Sequence, residues 1–242
     1  MKVIIDSQIL NQQGENLKID LRDVIDNRND EYVIYPIEIT YYVGYFNISD
    51  ELDNNKVIYS NGTISNNIYL PNGLYTLKHY FDIIKIFINN IGDNASFINY
   101  FYHEHNGGLI IYVTPPYTFS ILQHQISLLG FDTTQIITNS ATSINPVNFC
   151  PHKMLYIHLK QLKNNYIYYN NNKSDILARV PITNDEFGTL VSYKFDLPYV
   201  MELDNTTINT LELSITDENN NIIDFHGMPI FYTLEICKKN KL

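Results

Sequence analysis

The sequence predicts a mainly β protein, an all-β sandwich with helix-containing insertions. Its apolar residues fall mostly into short runs rich in β-branched and aromatic side chains, and these runs are separated by Asn, Asp, Gly and Pro. Helical spacing is confined to two segments, residues 77–91 and residues 118–131. Helices therefore do not alternate with strands, as a parallel α/β sheet would require.

Composition excludes several classes of protein. The chain has 242 residues, 45% of them hydrophobic and 17% charged, which is enough apolar material for a substantial core. The net charge of -10 would repel phosphate backbones, so we expect no direct nucleic-acid binding. No apolar run approaches the roughly 18 to 20 residues that span a bilayer, and no secretory signal is evident. The two cysteines, Cys150 and Cys237, do not form a disulfide framework, so we expect synthesis in a reducing cytoplasm.

The N-terminal part predicts an arm that leads into a β domain. Residues 1–30 are rich in charged and amide side chains and form a predicted polar N-terminal arm, whereas residues 31–242 form the predicted main domain. The aromatic and β-branched run Tyr32–Phe46 predicts one long strand. Pro36 within it indicates an edge position or a bulge.

Two hairpins and a helix follow. Asn61-Gly62, inside Lys56–Leu70, predicts a hairpin with a two-residue type I′ turn, and Asn106-Gly107-Gly108 predicts a second hairpin. Between them, apolar residues recur at intervals of three and four, which predicts an amphipathic helix ended by Gly92. The apolar positions are Leu77, Tyr80, Phe81, Ile84, Phe87, Ile88 and Ile91.

A second, shorter helix is predicted within residues 118–131, through Ile121, Leu122, Ile126 and Leu129, with Gly130 as its end. The helix-bearing segment 71–132 is a candidate insertion subdomain. Residues 132–152, rich in Thr, Ser, Asn and Pro, predict a long connection.

The last third of the chain predicts an antiparallel sandwich with short connections. In residues 210–216 the apolar side chains of Leu211, Leu213 and Ile215 alternate with polar ones, as in a sheet with one solvated face. The predicted strands are MLYIHL, DILARVPI, LVSYKFDL, NTLELSIT, NIIDF and MPIFYTLEI.

No strong enzymatic motif occurs in the sequence. It lacks a phosphate-binding glycine loop, a dinucleotide fingerprint, a GxSxG elbow, an HExxH helix and a paired CxxC. His103 and His105 would share one face of a strand and could bind Zn or Ni together with His152 or a distant carboxylate. The simpler interpretation is a polar strand end that enters a hairpin.

Two further polar groups have simple alternatives. Asp217 and Glu218 with Asp224 could bind calcium through oxygen ligands, but the intervening ENNN is more simply a hairpin turn. Asp224 and His226 could form an acid–base pair, yet no nucleophile lies nearby in sequence. We therefore predict no catalytic, cofactor-binding or metal-binding residue and no enzymatic activity.

Several short motifs, taken in order, resemble the penton-like minor capsid proteins of virophages and of Polinton-like or adinto-like viruses. The resemblance covers most of the chain from about Tyr32 onward. Its motifs are LYIHL (155–159), KSDILARVPI (173–182), Phe187-Gly188, LELSITDENNNIIDFHG (211–227) and FYTLEI (231–236), preceded by GYFNIS, NGLYTL and SLLGFD.

The resemblance implies a jelly-roll β-sandwich with two helix-containing insertions and no catalytic role. It implies a homopentamer that closes the fivefold vertices of an icosahedral capsid, beside a double jelly-roll major capsid protein. The protein would then be located in the virion. The polar arm would become ordered on contact with neighbouring subunits.

Two alternatives belong to other classes of protein. One is a receptor- or glycan-binding viral spike or fibre, built on a similar β domain and expected to be trimeric. The other is an enzyme or metal protein that uses His103 and His105. Stoichiometry separates the vertex protein from the spike, and metal analysis tests the metal protein.

Overall fold

The computed structural model describes residues 2–6, 17–26, 31–150, 152–163, 175–182, 186–196, 199–204 and 206–241. The chain divides into two compact units. The first unit contains residues 1–45 and 152–242, and the second is the intervening segment 46–151. No helix within the described ranges is both long and apolar enough to cross a membrane.

Strands dominate the described residues. The strands are β1 (Lys2–Asp6), β2 (Leu17–Asp26), β3 (Tyr32–Tyr42), β4 (Lys56–Ser60), β5 (Ser65–Tyr69), β6 (Ile98–His103), β7 (Gly108–Val113), β8 (Thr118–Ile121), β9 (Gln135–Ile137), β10 (Ser140–Thr142), β11 (Met154–Leu159), β12 (Ile176–Pro181), β13 (Leu190–Lys194), β14 (Met201–Glu202), β15 (Thr207–Thr216) and β16 (Ile230–Lys238). The α-helices are α1 (Leu77–Asn90) and α2 (Ile126–Leu129), and short 3-10 turns cover Ala95–Phe97, Gln123–Gln125 and Lys239–Lys241.

The first unit is an antiparallel β-sandwich. Sheet A has the order β1–β16–β3–β13, with β14 also paired to β3, and sheet B has the order β12–β11–β15–β2. Along β15 the side chains of Leu211, Leu213 and Ile215 are buried and those between them are not, so the predicted alternation is confirmed. β16 repeats the pattern with Ile230, Tyr232, Leu234 and Ile236. Each sheet thus has one apolar face that supplies the core of this unit.

Strands are also present in the segment predicted as a polar arm. β1 pairs with β16 at one end of sheet A, and β2 pairs with β15 at one end of sheet B. Residues 1, 7–16 and 27–30 of that segment lie outside the described residues.

Pro36 lies at a bulge, which confirms one of the two positions predicted for it. The register between β3 and β16 shifts between Thr233 and Leu234, which lie opposite Glu38 and Pro36. The edge interpretation is wrong, because β3 has β16 on one side and β13 and β14 on the other. Pro36 lies between the stretches paired with β13 and β14, so its missing amide hydrogen interrupts neither pairing.

The second unit packs α1 and two sheets around one core. The sheets have the orders β10–β7–β6 and β5–β4–β8–β9. Buried side chains of the sheets, such as Tyr59, Ile111 and Phe119, pack in one cluster with Phe81 and Ile84 of α1. Aromatic contacts tie the layers together, since the rings of Phe81 and Tyr100 stack with centroids 4.5 Å apart.

The first predicted helix is confirmed, including its end at Gly92. The Thr76 side chain accepts a hydrogen bond from the His79 amide at 3.2 Å and so caps the start of α1. Gly92 takes a φ of +95°, and its amide donates to the Asn89 carbonyl, which ends the helix. The buried face consists of Tyr80, Phe81, Ile84 and Ile88.

Asn47 joins the two ends of the second unit. Its Nδ2 donates to the carbonyl of Phe149 at 2.6 Å and to that of Tyr75 at 2.7 Å. Its Oδ1 accepts from the Tyr75 amide at 2.7 Å, and the residue is only 3% exposed. The buried Asn47 amide therefore connects the start of the second unit with Phe149 near its end and with Tyr75 in the loop before α1.

Several local predictions are wrong. Residues Thr118–Ile121, predicted as the start of the second helix, form strand β8, because the alternate residues Phe119 and Ile121 enter the core. The helical part of the predicted segment consists of the 3-10 turn Gln123–Gln125 and α2, which ends at Gly130 with a φ of +75°. The predicted connection 132–152 contains β9 and β10. Residues 221–225 form only a single bridge, between Ile222 and Thr216.

Both hairpins form, but the first has a different turn. β4 and β5 pair as far as Ser60 and Ser65, which leaves four connecting residues. Among non-glycine residues, positive φ is limited within the described chain to Asp53, Asn220 and His226, so Asn61 does not adopt the type I′ geometry. Instead its Oδ1 accepts from the amides of Thr63 and Ile64 at 3.1 and 2.9 Å.

Candidate functional site

The two histidines at the second hairpin do not share a strand face. His103 is the last residue of β6, and His105 lies in the turn that follows. The predicted pairing of their side chains on one face is therefore wrong. The His103 ring packs edge-on against Phe101, with the centroids 4.7 Å apart, and both histidines are exposed. Within the described ranges no group of three or more His, Cys, Asp or Glu side chains is arranged to hold a metal ion.

His152, the third predicted ligand, lies in the first unit near Asp217. Its Nδ1 is 3.8 Å from Asp217 Oδ2, and its ring packs edge-on against Tyr45 with the centroids 5.5 Å apart. Burial lowers the pKa of His152, against the opposing effect of the Asp217 carboxylate. The neutral form of the imidazole is thus favoured.

The predicted calcium ligands have local partners. Asp217 Oδ1 accepts from the amides of Asn219 and Asn221, each at 2.8 Å, and its Oδ2 accepts from Asn221 Nδ2 at 3.0 Å. The Asp217 carboxylate therefore organises the turn after β15. Glu218 Oε2 accepts from the Lys153 amide at 3.3 Å.

Asp224 and His226 form a turn. Asp224 Oδ1 accepts from the His226 amide at 2.7 Å, while its Oδ2 is 4.0 Å from His226 Nε2. The Nδ1 of His226 lies 2.8 Å from the Gly44 carbonyl. The carboxylate thus binds the backbone at closer range than it does the ring, which is typical of a turn; the strand predicted before that turn is reduced to a single bridge.

A histidine–carboxylate pair lies elsewhere, on the outer face of sheet B. His158 Nδ1 is 2.7 Å from Asp175 Oδ1, and His158 Nε2 is 2.9 Å from Thr216 Oγ1. Because the carboxylate can only accept, Nδ1 carries the hydrogen of that bond. The bond from His158 lowers the pKa of the Asp175 carboxyl. The side chains of His158 and Asp175 are 12% and 48% exposed.

This pair was not identified from the sequence. His158 and Asp175 lie 17 positions apart in the sequence, within the motifs LYIHL and KSDILARVPI, for which the family resemblance implies no catalytic role. The available signal was the alternation of MLYIHL, which places His158 on the outer face of its strand. The pair lies beside the ion pair of Lys160 and Glu212, with 2.9 Å between Nζ and Oε2. With Ser214 these four side chains line a shallow depression of about 90 Å³.

This polar face is small and open to solvent. Its side-chain bonds connect β11 to β15 and to Asp175, the residue before β12, which stabilises sheet B. The Thr216 hydroxyl beside His158 is not placed as a nucleophile, because Thr216 is only 5% exposed and its Oγ1 also donates to the Asp217 carbonyl at 3.2 Å.

Some of the exposed apolar side chains lie at one side of sheet A. Phe187 and Leu190, at the start of β13, are 43% and 52% exposed. Tyr199 and Val200 directly precede β14 and are also exposed. Since β13 and β14 both pair with the same side of β3, these residues lie along one side of the sheet. The two pairs of residues are separated along β3, since Leu190 lies opposite Tyr42 and Met201 lies opposite Ile34.

No protein-family model and no curated protein matches the sequence. Among solved structures, the selenomethionine-labelled mavirus penton protein matches with a TM-score of 0.50 and 12% identity, over 98% of this chain and 100% of that chain. A chain of the Sputnik virophage structure determined by cryo-electron microscopy matches with a TM-score of 0.47 and 12% identity, over 99% and 98% of the two chains. The likeness to the mavirus penton protein extends over the whole length and shows a common fold. The predicted jelly-roll β-sandwich with helix-containing insertions is thus confirmed.

Proposed function

We propose that this chain is a minor capsid protein that closes the fivefold vertices of an icosahedral virus as a homopentamer. The observation that carries the proposal is the likeness of fold to the mavirus penton protein over nearly the full length of both chains. An assignment that depended on the sandwich alone would be weaker, because β-sandwiches serve many unrelated functions. Here the inserted unit is included in the match.

The surfaces of the first unit are compatible with this role. A closed ring of identical subunits needs two different contact surfaces on each copy, which become buried when the ring closes. The exposed apolar residues beside β13 and β14 supply one such surface.

The proposed partners are other copies of this chain and, around the ring, a double jelly-roll major capsid protein. The proposed location is the virion. The net charge of -10 makes the packaged nucleic acid an unfavourable partner, so we propose no direct contact with it. The role is structural, and we assign no catalytic step to the chain.

The mass of the purified assembly tests this proposal. Light scattering behind a sizing column should give about 141 kDa, five times the 28.2 kDa of one chain. A mass near three chains would instead support the trimeric spike. Metal analysis of the same sample tests the remaining alternative, since bound zinc or nickel that disappears on substitution of His103 and His105 would indicate a metal protein.

A further inference from the structure

Among the described strands, β13 lies at the end of sheet A opposite to β1. It pairs with β3 along its whole length, and no described strand lies on its other side. The Phe195 amide donates to the Ile37 carbonyl at 3.0 Å, and the Val43 amide donates to the Thr189 carbonyl at 2.9 Å. In an antiparallel pair every second residue faces the partner strand. The amides and carbonyls of Leu190, Ser192 and Lys194 therefore point away from β3.

This edge lacks most of the features that prevent strands from pairing. Natural edge strands are usually interrupted by proline, a bulge or several charges. β13 contains no proline, its register with β3 is continuous, and its single charge is Lys194 at one end. Leu190 at the other end is 52% exposed. A regular edge with an exposed apolar end is suited to receive another strand.

The opposite end of sheet A is β1, which pairs with β16 alone among the described strands. Neighbouring strands are antiparallel throughout the order β1–β16–β3–β13, so β1 and β3 run in one direction and β13 runs in the other. If a second copy places its β1 beside β13 with the sheets in the same orientation, the new pair is again antiparallel. The two edges are thus complementary in direction.

We propose that β13 of one copy pairs with β1 of the next, so that sheet A continues from subunit to subunit around the ring. The inference rests on the proposed homopentamer and names the contact that builds it. Because the two edges differ, the contact is head-to-tail, which is the kind that generates closed rings. The main-chain bonds set the register, and the exposed apolar residues beside β13 become covered.

Ser192→Pro is the variant that tests the pairing. Proline removes the outward amide hydrogen of residue 192, but leaves the bonds of residues 191 and 193 with β3 in place. Ser192 Oγ also donates to Glu38 Oε1 at 2.6 Å, so Ser192→Ala serves as the matched control for the loss of the hydroxyl. Asn67→Pro supplies a second control, since it makes the same change at an outward position of the exposed edge strand β5 in the other unit.

We expect the Ser192→Pro protein to fold, as judged by circular dichroism, and to lose the oligomeric mass in light scattering. The Ser192→Ala and Asn67→Pro proteins should keep that mass. An oligomer of unchanged mass from the Ser192→Pro protein would overturn the proposed pairing.

Hydrogen exchange on the unmodified protein gives an independent test, which holds even if the proline variant does not fold. The amides of Leu190, Ser192 and Lys194 should exchange about tenfold or more slowly in the assembly than in dissociated subunits. An assembled protein in which these amides exchange freely would contradict the edge pairing and leave the homopentamer intact. A protein that stays monomeric at all concentrations would contradict both.

Discussion

The Asn47→Ala substitution should destabilise the second unit by about 3 kcal/mol. Asn47 is buried and makes three hydrogen bonds of 2.6 to 2.7 Å with the backbones of Tyr75 and Phe149. Each such bond contributes about 1 kcal/mol, and alanine replaces none of them. In the folded variant the amide of Tyr75 and the carbonyls of Tyr75 and Phe149 lack this partner, which lowers the free energy of unfolding further.

The assay must report on the second unit itself, because a chain with two compact units need not unfold in a single transition. Hydrogen exchange of the core amides of Val57 and Ile111 satisfies this requirement. A loss of 3 kcal/mol corresponds to exchange that is faster by about a hundredfold. Asn90, exposed at the end of α1, provides the control: the Asn90→Ala protein should change stability by less than about 0.5 kcal/mol.

An Asn47→Asp protein refines the interpretation. The carboxylate can still accept from the Tyr75 amide, but it cannot donate to the carbonyls of Tyr75 and Phe149. We therefore expect a loss comparable to that of Asn47→Ala. Destabilisation below about 1 kcal/mol in both variants would refute the view that this side chain joins the ends of the unit.

Two further predictions concern local structure. Gly130→Ala should lower the denaturation midpoint more than Gly92→Ala does. Both glycines have positive φ, but a Cβ at Gly130 would collide with the Asn145 carbonyl, whereas the space at Gly92 is open. Equal decreases of the midpoint in the two variants would contradict this reasoning. Since the His158 bond lowers the pKa of Asp175 below 3.8, its stabilisation is present above pH 4 and is lost as the pH falls through the lowered value. Asp175→Asn should therefore cost up to about 1 kcal/mol in urea unfolding at pH 5 and less at pH 3, and a cost that grows with acid would be inconsistent with the pair.

The fold class could be predicted from the sequence because its signals are local. Leu211, Leu213 and Ile215 alternate in the sequence and are buried together in the structure. The end of α1 at Gly92 likewise depends on a single residue that adopts a left-handed backbone conformation. Such features depend on neighbours within a few positions.

Predictions failed where tertiary contacts outweigh local spacing. Ile121, Leu122, Ile126 and Leu129 have helical spacing, yet pairing with β4 and β9 makes residues 118–121 a strand. His105 follows a strand in sequence, but the turn begins one residue before it. The structure therefore separates the two histidines that the sequence pattern had paired.

The polar contacts at long sequence range could not be found from the sequence. Asn47 and Phe149 are about a hundred residues apart, and His158 meets Thr216 only because β11 and β15 are neighbours in sheet B. The position of β13 at the end of sheet A, as the described strands define it, also becomes apparent only once the strand order is known. Such features are properties of topology, which a single sequence does not specify.

Rotational symmetry of the purified assembly tests the central claim most directly. Averaged electron micrographs of the ring, viewed along its axis, count the subunits without reference to mass or shape. The proposed vertex protein should show five identical subunits around the axis. Threefold symmetry would contradict the proposal and identify the protein as a trimeric spike.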